Sequence, residues 1–295
     1  MPQGNRPDRA CVERMRNMAE CDHDCAQCQS AEGCGERENP ASFKKPCHPE
    51  SHIGKVIGVV SGKGGVGKSL VTSILAVRMR RAGKKVAILD ADITGPSIPK
   101  TFHVTGPVRS DGNSFYPVET KTGIKVMSLN LLLPHETDPV VWRGPVIAGA
   151  LQQFWTDVIY GDVDYLFVDM PPGTGDVPLT VYQSLPLDGI LIVASPQELV
   201  GMIVEKAANM ARMMRIPVLG LVENYSYFQC PDCGKRHEIF GKSRLDEAAA
   251  AQGVACKDRV PVDPSLAAAV DAGTLEDASL PYLDNAVTML QALKN

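Results

Sequence analysis

Eight consecutive residues, Gly62-Lys63-Gly64-Gly65-Val66-Gly67-Lys68-Ser69, constrain this chain more than any other feature. They satisfy the pattern G-x-x-x-x-G-K-[ST] and stand between a strand-like run, Val56 to Val60, and a helix-like run, Ser69 to Ala82, ended by Gly83. Glycines in such a turn let backbone N–H groups point inward and approach phosphate oxygens closely. Lys68 supplies a point charge for the β and γ phosphates, and the Ser69 hydroxyl at the helix N-terminus can ligate Mg²⁺. The pattern predicts a nucleoside triphosphate site. No [NT]-K-x-D guanine-reading motif occurs in the chain, which favours ATP.

Further short apolar runs follow at Val86 to Leu89, Ile124 to Leu129, Tyr165 to Val168, Ile190 to Ala194 and Val218 to Val222, with helix-like stretches between them. Continuously apolar strands alternating with helices imply a mostly parallel sheet with helices on both faces, an α/β fold of the P-loop NTPase kind. Gly241 to Ala251 reads as one helix and Leu280 to Lys294 as a terminal helix, after a turn marked by Pro261 and Pro264. Residues 1–52 lack any apolar period that could bury a face, so the boundary is drawn there. A Cys-rich segment over 1–52 precedes an ATPase domain over 53–295.

Bulk composition excludes several functions. With 44% hydrophobic residues in 295, a buried core is affordable. A formal net charge of −4 argues against nucleic acid as a main partner, no apolar run approaches the roughly 20 residues that span a bilayer, and Met1 to Glu20 lacks the apolar centre of a signal peptide. The expectation is a cytoplasmic protein with reduced thiols and no membrane partner.

Carboxylates fall where a nucleotide site needs them, at strand C-terminal ends. Asp90-Ala91-Asp92 follows Val86 to Leu89, and Asp169 follows Leu166-Phe167-Val168. Asp169 is expected to hold Mg²⁺. Met170-Pro171-Pro172-Gly173-Thr174-Gly175-Asp176 comes next, rich in residues that make few internal hydrogen bonds and so able to respond to the γ-phosphate. Lys63 adds a second lysine inside the loop, whose repulsion from Lys68 is tolerable if a highly charged anion sits nearby.

The nine cysteines are unevenly placed: six lie in the first 47 residues and none between Cys47 and Cys230. In a reducing compartment this reads as metal chemistry. Cys11, Cys25, Cys28 and Cys34 fit C-x13-C-x2-C-x5-C, four ligands for a [4Fe–4S] cluster on one chain; Cys21 with Cys25 and Cys28 is an alternative triple, and Cys47 is outside both. Cys230-Pro231-Asp232-Cys233 puts two thiolates on one soft metal centre, and a two-fold dimer could supply the other two. A zinc knuckle with His237 as third ligand is the competing reading. Cys256 reads as a buried small residue, and Trp142, Phe154 and Trp155 as core or interface packing. His48 and His52 flank Pro49, so no helix brings them to one face.

Lys63 makes the loop resemble the deviant Walker A motif of cell-division and plasmid-partition ATPases, the nitrogenase iron protein and the cluster carriers. Together with Tyr227-Phe228-Gln229-Cys230-Pro231-Asp232-Cys233, Val141-Trp142-Arg143-Gly144-Pro145, the segment from Asp169 to Asp176, Ser195-Pro196-Gln197-Glu198 and the N-terminal cysteine spacing, the chain is similar to the Mrp/Nbp35 family of iron-sulfur cluster carrier ATPases. The resemblance implies that Lys63 reaches the nucleotide of a partner subunit in a dimer, that Asp92 positions the attacking water, that Asn224 contacts adenine, and that Asp176 passes on the switch. It further implies an ATPase, coupled to cluster loading or transfer, that holds a [4Fe–4S] cluster on Cys230 and Cys233 across a homodimer and delivers it to apo iron-sulfur proteins. A hetero-oligomer with a related ATPase is a second arrangement the resemblance allows. A partition-type positioning ATPase, a nitrogenase-type electron donor and a zinc-stapled ATPase are the rival readings.

Overall fold

The structure, a computed structural model, describes residues 44–92, 97–133, 144–199 and 202–293. The elements are strand β1 (His52–Val60), helix α1 (Lys68–Arg81), β2 (Val86–Asp90), α2 (Ser97–Phe102), β3 (Arg109–Ser110), β4 (Phe115–Tyr116), β5 (Val118–Glu119), β6 (Lys125–Ser128), α3 (Gly144–Thr156), β7 (Asp162–Asp169), α4 (Asp176–Ser184), β8 (Gly189–Ala194), α5 (Pro196–Leu199), α6 (Met202–Met213), β9 (Val218–Glu223), β10 (Phe228–Gln229), β11 (Arg236–His237), α7 (Leu245–Gln252), β12 (Cys256–Arg259), α8 (Pro264–Asp271) and α9 (Asp284–Ala292).

Eight strands form the main sheet in the order β12-β9-β8-β1-β7-β2-β6-β5. All pair in parallel except β5, which runs antiparallel to β6. In β2 and β8, and over Val56 to Val60 of β1, every position is buried. Successive side chains point to opposite faces, so burial at every position means that both faces of the sheet are covered. β7 and β8 are consecutive in sequence yet flank β1 on opposite sides. The direction of winding reverses there, which opens a crevice beyond the strand C-termini, where open α/β sheets bind ligands. Phe154 and Trp155 lie inside this core.

Three differences from the sequence reading have physical causes. β1 starts at His52 because His52 to Tyr165-facing Lys55 pair with β7, a ladder that the alternating polar residues concealed. The chain just before β1 packs on the domain: Lys45 N–H donates to the Ser184 carbonyl at 3.1 Å, and its own carbonyl accepts from Trp155 Nε1 at 2.7 Å. β12 and α8 fall where a turn and a buried cysteine were expected. β12 (Cys-Lys-Asp-Arg) carries no apolar run, and Pro264 opens a helix whose Asp263 cap accepts from Ser265 N–H at 2.8 Å.

Candidate functional site: a nucleotide crevice and a cysteine hairpin

Residues Gly62 to Gly67 form the loop between β1 and α1, and Gly67 caps the helix in the left-handed region at φ 81°. A β-carbon on Gly67 would lie 2.1 Å from Asn224 Nδ2, so the position is restricted by neighbours as well as by backbone conformation. That amide, at the end of β9, donates to the Val66 carbonyl at 2.9 Å and braces the loop from beneath. Asn224 is fully buried there, and among the described residues it is Tyr225 that lines the crevice.

Asp169 ends β7 directly opposite Asp90 of β2. Its Oδ2 accepts from Ser69 Oγ at 2.6 Å, its Oδ1 accepts from Thr72 Oγ1 at 2.8 Å, and Lys68 Nζ lies 2.8 Å from Oδ2. Lys68 is only 5% exposed and also lies 3.3 Å from Asp92. Burial disfavours its charge, but Asp169, Asp92 and Asp90 outweigh burial and hold the ammonium above the usual lysine range. Asp90 is pushed well above the usual carboxylate range, chiefly by burial and then by the charge of Asp169; Ser128 and Lys68 oppose this. Its oxygens accept from Ser128 Oγ at 2.8 Å and from Asp92 N–H at 3.1 Å. Thr72 and Ser128 were missed by the sequence reading. Thr72 was within reach, since it lies three residues after Ser69 and hence on the same helix face.

The segment after Asp169 folds back on the loop: Met170 N–H donates to Val59 O at 3.0 Å and Gly173 N–H to Ser61 O at 2.9 Å, while Pro172 lines the crevice. Asp176 is exposed at the start of α4. Lys63 is exposed on the loop, and its charge counters the burial that raises the Glu198 carboxyl. Ser97, Lys100 and Val270 close the outer wall of a cavity of about 410 Å³, a size suited to a nucleotide. The carboxylate of Asp169 and the hydroxyl of Ser69 form an all-oxygen donor set, which fits a hard dication such as Mg²⁺.

Cys230 and Cys233 sit on the hairpin of β10 and β11. Cys230 N–H donates to Lys235 O at 2.9 Å, and Gly234 N–H closes the turn on Cys230 O at 2.9 Å. Cys230 is half-buried and Cys233 exposed, and both are free thiols. The backbone N–H groups of Cys233 and Asp232 hold the Cys230 thiol below its ordinary range. Among the described residues no three or more His, Cys, Asp or Glu side chains are grouped so as to hold a metal ion, so His237 on β11 does not complete a site with the pair. Cys11, Cys21, Cys25, Cys28, Cys34, Trp142 and Arg143 lie outside the described residues. Among the described residues no helix is long and apolar enough to cross a membrane.

A glycine-rich loop at the reversal point of a parallel sheet, with Lys68, Ser69, Asp92 and Asp169 converged on one crevice, defines a P-loop nucleotide-binding protein. The chain belongs to the family described as NUBPL iron-transfer P-loop NTPase, within the ParA group, whose profile matches residues 52–293. It is 45% identical over 261 residues to an iron-sulfur cluster carrier protein of Methanocaldococcus jannaschii, covering 87% of this chain and 90% of that one. It is 42% identical over 245 residues to the mouse iron-sulfur cluster transfer protein NUBPL, covering 82% and 76%. Among solved structures it resembles an Archaeoglobus fulgidus nucleotide-binding protein in complex with ADP (TM-score 0.70, 44% identity, 79% of this chain and 94% of that one). The Pyrococcus furiosus cell division ATPase MinD, at 20% identity and TM-score 0.53 over 81% and 97%, shares the fold alone.

Proposed function

We propose that this protein is a cytoplasmic, Mg²⁺-dependent ATPase that carries a [4Fe–4S] cluster on Cys230 and Cys233, shared between two copies of the chain, and delivers it to apo iron-sulfur proteins. One contrast carries the reading. Lys68, Ser69 and Asp169 already meet within one protomer, whereas Cys230 and Cys233 offer only two thiolates, and a two-fold axis would supply the other two.

The residues divide the work by charge. Lys68 and the N–H groups of the loop bind the β and γ phosphates. Ser69 and Asp169 would hold Mg²⁺, which would supply charge to offset the triphosphate. Asp92 orients the attacking water. Lys63, exposed on the loop, reaches across to the partner's nucleotide, so occupancy draws two protomers together and hydrolysis releases them. Cys11, Cys25, Cys28 and Cys34 hold a second cluster, tighter because one chain provides every ligand.

The test is anaerobic reconstitution with iron and sulfide, followed by iron and sulfide counts and an absorption spectrum, for wild type and for Cys230→Ala/Cys233→Ala. The double variant is expected to lose about one [4Fe–4S] per dimer and keep the N-terminal clusters. A colourless protein that takes up zinc instead would leave the ATPase and remove the carrier.

A further inference from the structure

The two ends of the loop that bears the cysteine pair meet each other, and one of them lines the nucleotide crevice. Its entry is Tyr225, which lines the crevice and whose hydroxyl lies 3.3 Å from where a β-carbon on Gly67 would sit. Its exit is Phe240, three residues after β11, and the two rings pack with centroids 6.1 Å apart, tilted by 50°. Between them runs the hairpin with Cys230 and Cys233. The entry strand is fixed to the domain, since Ser226 N–H donates to Val260 O at 3.0 Å and the Tyr227 carbonyl accepts from Val262 N–H at 2.7 Å. Tyr225 itself is held at φ 59°, in a left-handed conformation that tyrosine rarely adopts and that costs roughly 1 kcal/mol or more unless its surroundings impose it. At the exit, Phe240 is 40% exposed in a turn that Gly241 N–H closes on Glu238 O, and among the described residues no backbone hydrogen bond ties that turn to the domain.

We propose that the Tyr225–Phe240 contact is a clasp through which a bound nucleotide sets the exposure of Cys230 and Cys233 within a single protomer, with Tyr225 as the positioning residue. A nucleotide filling the crevice presses on Tyr225, whose hydroxyl stands beside Gly67. Because the entry strand holds the backbone of Tyr225, the ring is displaced against the exposed Phe240, and the hairpin pivots on its fixed entry strand. This deepens the carrier reading by placing the control of cluster release inside the chain, in addition to any control exerted by dimer opening.

The experiment needs no cluster, so its failure and the failure of the carrier reading are separable. The reduced full-length chain, dilute enough that sedimentation shows single protomers, is alkylated with iodoacetamide alone, with MgADP and with MgATP. Labelling rates are read peptide by peptide, with an added unstructured cysteine peptide as internal standard. The expected result is a change of about fivefold or more at Cys230 and Cys233 on nucleotide binding in wild type, the low end of ordinary coupling between sites. Phe240→Ala should abolish the change while nucleotide still binds, and Phe240→Trp should keep it. Rates in wild type that ignore bound nucleotide overturn the proposal, as does a full response in Phe240→Ala. Loss of nucleotide binding in both Phe240→Ala and Phe240→Leu would make Phe240 part of the crevice wall and would also overturn it.

Discussion

Ser69 and Asp169, 100 residues apart in the chain, meet at 2.6 Å, with the Ser69 hydroxyl donating to Oδ2. The same carboxylate accepts from Thr72 and faces Lys68, so one side chain fastens the start of α1 to the end of β7. Asp169→Asn conserves shape but removes the charge that Mg²⁺ requires. Its ATP turnover is expected to fall at least about 100-fold, as for loss of one preorganised electrostatic group, and nucleotide-free stability to fall as well, because buried Lys68 loses its nearest counter-charge. Phosphate release at saturating MgATP, with urea unfolding beside it, checks both halves.

Lys68→Ala takes the ammonium out of a group of three carboxylates, two of them fully buried. The expected cost is about 3–5 kcal/mol in stability, the usual consequence of leaving buried charge uncompensated. Adding Asp90→Asn should recover part of it. A double-mutant cycle in urea gives the coupling, and strict additivity would show that Asp90 and Lys68 do not interact.

Asp90 also gives a pH signature. Its carboxyl is raised in the folded protein, so the native state binds more protons than the unfolded chain between the ordinary aspartate value and the raised one. Stability contributed by this group therefore declines as pH rises through that window. Asp90→Asn should be more stable than wild type at pH 7, and the advantage should vanish as pH falls to about 4. Unfolding midpoints across that range decide it.

Gly65 and Gly67 both sit in the left-handed region, at φ 83° and 81°, but only Gly67 faces a neighbour. Gly65→Ala meets open space and should cost about 1–2 kcal/mol of backbone strain. Gly67→Ala must in addition displace Asn224 from the Val66 carbonyl, so its nucleotide affinity should fall at least about tenfold further. Titration calorimetry with ADP compares the two directly.

Cys256 and Cys230 should differ sharply in reactivity. Burial, helped by Asp258, pushes the Cys256 thiol up to about 11, whereas backbone N–H groups hold Cys230 below its ordinary value. At pH 8 only about one Cys256 in a thousand is thiolate, and its alkylation should quicken roughly tenfold per pH unit. Cys230 should react first and level off early. Equal rates at pH 8 would contradict this assignment.

The strands were legible because each buried strand is an unbroken apolar run, and the crevice because a glycine-rich loop and carboxylates at strand ends have few other uses. The start of α9 was not. The sequence suggests a helix from Leu280, but it begins at Asp284, where the Asp258 carboxylate accepts from Ala286 N–H at 2.8 Å and Asn285 N–H at 3.2 Å. A cap supplied from 28 residues away has no local signal.

By itself, the sequence determined the fold class, the glycine-rich loop, the strand-end aspartates and the closeness of Cys230 to Cys233 on one turn, because each depends on residue types at short, fixed spacing. Tertiary structure alone decided that Asn224 braces Val66 while Tyr225 faces the crevice, that Asp90 shares a buried charge group with Lys68, and that the two ends of the cysteine loop meet, one of them lining the nucleotide crevice. Those relations join residues distant in the chain, and their energies come from burial and mutual distance, which exist only once the sheet has brought the strand ends together.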